Sequence, residues 1–230
     1  MHVDQFSSEH LTIIDEYCHT MVQIERAIFI NIQSFTKLQK ELLHTQSIAM
    51  LYSIWEGFVT RSFQLYIKHI NNQVIPYNML IDSLFVHEME TKFKQFNDYP
   101  GKLKHKTKFF YELYEHCQRK DLELTQIVET ENNVGFEVLN KLLKLYGLEE
   151  FPACWMAYKH PNPSLQNMLS NLLRHRNAIA HGGDISSEEI VTQEVYNRYR
   201  TLLRELMYGM HERFLKGILM QIYMKHNDTH

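Results

Sequence analysis

The stretch of the chain with the most chemical potential is Leu172-Leu173-Arg174-His175-Arg176-Asn177-Ala178-Ile179-Ala180-His181-Gly182. An arginine presents planar, permanently charged donors that match a phosphate. A histidine gives or takes a proton near neutrality. RNA carries its own nucleophile, the 2′-OH. A guanidinium to stabilise a charged phosphorane and an imidazole to move the proton are therefore enough to cut RNA without a metal. Arg176 and His181 are the candidate pair, and Asn177 can orient its neighbour. Spacing alone does not single them out, because Arg204 and His211 have a similar separation. The surroundings do. Ala178 and Ala180 allow close approach, and Gly182-Gly183 stop a helix at His181, whereas Glu205 follows Arg204 and nothing stops the helix at His211. Side chains five apart on a straight helix diverge by ~140°. Unwinding at the glycines, or a second copy of the motif across a two-fold axis, would bring the two groups to one phosphate. In the plainer reading, His181 closes a helix by binding its last carbonyls.

These groups need elements to hold them. The chain has 230 residues with only 8 Gly and 5 Pro, which points to long helices rather than a many-turned β fold. Apolar residues from Ile13 to Ile28 recur at three- and four-residue spacing, so a first helix is expected from a Ser8 cap to about Asn31. Thr36-Lys37-Leu38-Gln39 reads as a capping box opening a second helix from about Lys37 to Asn71, a spine for a bundle. A third helix is expected over 77–96, then a turn at Asp98-Tyr99-Pro100-Gly101. Thr125 to Asn133 reads as extended or loop. A helix from Val134 to Tyr146 stops at Gly147. Residues 149–163 are irregular. A helix from about Ser164 ends at His181, and Ser186-Ser187-Glu188-Glu189 opens a last helix reaching about Lys225. The fold class is all-α, an antiparallel helical bundle with an inserted helical or irregular region. One domain over 1–230 is expected, with 98–133 as a variable insertion.

The formal charge of −3 excludes a uniformly basic surface, so nucleic-acid contact must be local. The most basic run, Lys102 to Lys108, precedes the aromatics Phe109, Phe110, Tyr111 and Tyr114. It reads either as a solvated loop or as a backbone contact for RNA, with Lys104 and Lys106 on phosphates. Arg174 and His175 are further candidates for substrate contact, against a solvated-face alternative. Glu56, on a helix otherwise rich in apolar residues, needs a partner: a structural ion pair or a place in the active site. Cys18, Cys117 and Cys154 form neither a disulfide framework nor a zinc spacing, which fits a reducing cytoplasm. His105, His116 and His160 are scattered, and no metal or cofactor is expected. Met1 to Phe6 lack a signal-peptide pattern, and no membrane span is expected.

Arg176-Asn177-Ala178-Ile179-Ala180-His181-Gly182 resembles the R-x4-6-H motif of the HEPN superfamily. Leu51-Tyr52-Ser53-Ile54-Trp55-Glu56-Gly57-Phe58 resembles a tyrosine–x–x–aromatic–glutamate–glycine element of its prokaryotic MAE-type branch. Asn132-Asn133-Val134, ahead of a helix ending in Tyr146-Gly147-Leu148, resembles a third element of that branch. The resemblance implies a helical bundle, a homodimer with a shared cleft and metal-independent endoribonuclease activity in toxin–antitoxin or antiviral defence. It makes Arg176 and His181 catalytic, Asn177 their orienting neighbour, and Glu56 the partner of an arginine near the cleft. RNA and an antitoxin or defence-system protein are the implied partners. The alternative is a bundle that binds RNA, nucleotide or protein without cutting.

Overall fold

A computed structural model describes residues 2–31, 34–119, 123–131, 133–156, 164–180 and 190–225. Seven α-helices occur among them: α1 (Val3–Glu25), α2 (Lys37–Asn71), α3 (Asp82–Lys92), α4 (Leu103–Gln118), α5 (Phe136–Leu145), α6 (Leu165–Ala180) and α7 (Gln193–Leu219). No strand occurs among the described residues, so the protein is all-α. No described helix is long and apolar enough to cross a membrane.

The second helix is the spine. Its 35 residues span roughly 52 Å. Thr36 accepts from the Gln39 amide, and the Gln39 side chain accepts from the Thr36 amide, so the expected capping box forms. Beyond its first turns α2 is apolar on several sides. Ile48, Leu51, Trp55, Phe58, Phe63, Tyr66 and Ile70 are all fully buried, because α1, α6 and α7 pack around them. Burying each such side chain stabilises the fold by about 1.5–3 kcal/mol before entropy is subtracted.

Several boundaries depart from expectation. The first helix begins at Val3 rather than after Ser8, since extending it buries Phe6 against Tyr66, His69 and Phe214. It ends in a π-helical turn, Arg26–Ile30. The expected third helix breaks into a 3-10 turn (Tyr77–Met79), α3 and a second 3-10 turn (Lys94–Phe96). The break occurs because 79–81 pairs with the end of the chain: the Ile81 amide donates to Tyr223 and the Lys225 amide to Met79. The last helix accordingly stops at Leu219 instead of reaching Lys225. It starts at Gln193, where Thr192 accepts from the Val195 amide. The Ser186–Glu189 box lies outside the described residues. Lys102 to Lys108 is not a loop, because residues 103–108 form the first turns of α4.

Gly147 ends α5 as expected, at φ +72°. Its amide donates to Lys144 and the Leu148 amide to Leu143, the bond pair of a Schellman turn.

Between α4 and α5 the described residues 123–131 and 133–135 form a strap that runs back along α2, with its contacts falling at successively earlier helix positions. Asn71 exchanges two hydrogen bonds with the Leu124 backbone. Gln64 donates to Gln126, and Glu56 accepts from Thr130. Tyr52 and Trp55 then meet Val134. Side chains of α2, and of α3 at Glu123 and Thr125, satisfy part of the described strap's backbone.

Candidate active site

The site is assembled where α6 crosses α2 beneath the end of the strap. Tyr52 and Trp55 fix Val134 from both sides of its backbone. The Val134 amide donates to the Tyr52 hydroxyl oxygen at 2.6 Å, and the Trp55 indole donates to the Val134 carbonyl at 2.9 Å. Both rings are fully buried, so these bonds satisfy polar groups that water cannot reach. The sequence element at 52–57 thus supplies the groups that hold Val134. Gly135 follows, and a Cβ there would stand 3.3 Å from the Leu173 side chain. The strap's end therefore lies close against α6.

Arg176 lies on the exposed side of this joint. Its guanidinium carbon is 4.9 Å from the centre of the Tyr52 ring, within cation–π range. One of its nitrogens donates to Asn177 Oδ1 at 2.9 Å. Asn177 is therefore a hydrogen-bond partner of the adjacent Arg176 guanidinium. Arg176 is half-buried, so a charged group is held in a defined place without leaving solvent. Burial, followed by the charge of Glu56, pushes the Tyr52 hydroxyl up to about 12, while the Val134 amide and Arg176 pull the other way. Tyr52 is therefore neutral at physiological pH and sits in the fields of both Glu56 and Arg176.

Glu56 is one turn from Tyr52 on α2, and its carboxylate accepts from the Thr130 hydroxyl at 3.0 Å. It is half-buried and holds the strap. His175 does not meet the expectation of substrate contact. It is 2% exposed, with its ring 6.1 Å from Tyr199 of α7, because its place on α6 faces the core. Arg174 is exposed. Lys104 and Lys106 are on α4, which packs on Tyr77 beyond the far end of α2. The start of α4 follows Asp98, which lines one pocket with Glu129 of the strap. Lys106 stands 4.9 Å over the Tyr99 ring. His181, with Gly182 and Gly183, lies outside the described residues, as does Asn132. Among the described residues no group of three or more His, Cys, Asp or Glu could hold a metal ion.

Arg204 and His211, which share the spacing, do different work. Arg204 pairs with the adjacent Glu205. His211 is buried against His10, Nδ1 to Nδ1 at 2.9 Å, inside the bundle. The residue that sequence reasoning left out of the site is Tyr52. Its position one helical turn before Glu56 was the available signal, since the two must share a face of α2.

An all-helical bundle with an arginine presented at the end of its penultimate described helix has the architecture of the HEPN superfamily. The chain belongs to the RiboL-PSP-HEPN family, whose model matches residues 20–216. That membership carries a nuclease-like or RNA-related function. The finer MAE-type assignment has no support from the comparisons. Searches of curated proteins and of solved structures returned no match.

Proposed function

We propose that the protein is a metal-independent endoribonuclease of the HEPN type, acting as a toxin or antiviral defence effector. Arg176 and His181 form its catalytic pair, in a single helical domain carrying 98–133 as a variable insertion. The reaction is an internal transesterification. The 2′-oxygen attacks the adjacent phosphorus and gives up its proton to a base. The bond from phosphorus to the 5′-oxygen breaks, and that oxygen is protonated by an acid. The products are a 2′,3′-cyclic phosphate and a 5′-hydroxyl. His181 is the base or acid, and Arg176 neutralises the phosphorane. A homodimer with a shared cleft supplies the second imidazole.

The observation that carries this reading is the support built around Arg176. The Tyr52 face and the Asn177 amide hold the guanidinium, and Tyr52 is itself tied to the strap. Such support pre-organises a charge for transition-state binding. The same support favours a second reading, in which Arg176 is a structural arginine of a module that binds RNA or protein without cleaving it. One experiment separates them. Total RNA is incubated in EDTA with the wild type, Arg176→Ala and His181→Ala, and fragment ends are mapped. The ribonuclease reading expects cyclic-phosphate ends and rates lower by about 10²–10⁴ in each variant, with folding unchanged by circular dichroism. Cleavage by His181→Ala at the wild-type rate would refute the assignment. Wild-type RNA binding without fragments would establish the second reading. Growth arrest on expression that depends on Arg176 tests the toxin role.

A further inference from the structure

The fourth helix carries two faces, and only one is used by the fold. Phe109 packs on Phe93 and Phe96, and His116 on Tyr77. The opposite face presents Leu103, Tyr111 and Tyr114, and Phe110 lies at its edge, half-exposed with its ring 6.4 Å from Tyr99 and 5.1 Å from Phe109. Tyr111 is 65% exposed and Tyr114 61% exposed. Lys104 and Lys108 share the Tyr111 side of the helix, seven and three residues before it. Contiguous exposed aromatics at this density mark a binding surface.

The charge on this helix is also arranged against its own stability. Helix N-termini favour anions, yet the first turn of α4 has no acidic residue and Lys102 at the N-cap makes no side-chain cap. Lys102, Lys104, Lys106 and Lys108 crowd the positive end of the dipole in a protein of net charge −3. The opposing carboxylates on the helix, Glu112 and Glu115, come later, and Glu112 is paired with Lys108 at 3.5 Å. A polyanion laid across the first turns would relieve the repulsion, and its bases would meet the aromatics.

We propose that the exposed face of α4 is a platform for single-stranded RNA, with Phe110, Tyr111 and Tyr114 stacking bases and Lys104 and Lys108 neutralising the phosphates between them. The choice of RNA rests on the function proposed above. The platform is on a different helix from Arg176, so it adds a second grip on the strand and selects RNA whose bases are unpaired.

The test uses the full chain carrying Arg176→Ala, so that the probe is not cut. Binding of a fluorescein-labelled single-stranded oligouridylate is followed by anisotropy over a range of salt. Tyr111→Ala with Tyr114→Ala is expected to weaken binding roughly tenfold or more, while Tyr111→Phe with Tyr114→Phe binds like the parent. Lys104→Ala with Lys108→Ala is expected to reduce the logarithmic salt slope by about 1.4. Duplex RNA should compete poorly. Parent-like affinity of the double alanine variant, or equal competition by duplex, overturns the proposal. So does loss of a homodimer in sedimentation without loss of RNA affinity, which would make the face a protein interface. Cleavage is scored separately on the wild-type background. If cleavage depends on His181 but affinity does not depend on α4, the platform is wrong and the ribonuclease reading stands. If affinity depends on α4 and no RNA is cut, the platform stands alone.

Discussion

Acid should destabilise this protein through its buried imidazoles, and His10 carries a large share. His10 of α1 is fully buried, stacked between Phe6 at 5.6 Å and His211 at 5.2 Å. Its Nδ1 shares a hydrogen bond with His211 Nδ1, and its Nε2 is 2.9 Å from the Ser62 hydroxyl. Burial, then the neighbouring His211, lowers its pKa to about 3 from the ordinary 6.5. The folded value lies below the unfolded one, so the unfolded chain takes up the proton first as pH falls. The contribution is fully present above pH 6.5 and is lost on the way down to pH 3. Linkage puts the loss from His10 alone at about 2 kcal/mol at pH 5, on a slope of about 1.4 kcal/mol per pH unit. The perturbation is His10→Gln, which keeps polar atoms beside Ser62 and His211 but cannot charge. The assay is urea denaturation of wild type and variant at several pH values between 7.5 and 5. The variant should be less stable at pH 7.5 and should show a shallower pH dependence, the two slopes differing by up to about 1.4 kcal/mol per pH unit. Equal slopes in the two proteins would refute the reasoning, because His10 would then not hold off its proton in the folded state.

Tyr52→Phe keeps the ring beneath Arg176 but leaves the Val134 amide without its acceptor. It should cost about 1–3 kcal/mol in chemical denaturation and leave cleavage per folded molecule within a few-fold of wild type. Tyr52→Ala removes the ring as well and should lower cleavage further, by more than its effect on stability explains. Gly147→Ala must place a side chain at φ +72°, with its Cβ 2.9 Å from Ile81 Cδ1 and 3.1 Å from the Ile222 carbonyl oxygen. It should destabilise by more than about 1 kcal/mol, read as a lower urea midpoint. An unchanged midpoint would mean that the Schellman turn and the chain end relax freely.

The class of fold was legible because helical periodicity and local caps act over a few residues. The Thr36–Gln39 box opens α2, and Gly147 closes α5, by interactions wholly contained in neighbouring sequence. The Asn177 contact with Arg176 is of the same local kind. Element ends at Val3, Met79 and Leu219 could not be read locally. They depend on Phe6 finding Phe214 and on Tyr223 and Lys225 reaching 79–81, contacts that only the assembled bundle creates. Tertiary structure also decided which side chains face solvent. It turned His175 inward against Tyr199, set Lys106 over the Tyr99 ring, and brought Tyr52 under the guanidinium through a crossing of α2 and α6. A sequence specifies which groups a helix offers and at what angle. Which of them meet depends on how helices pack across gaps in the chain, where burial of the whole core sets the geometry.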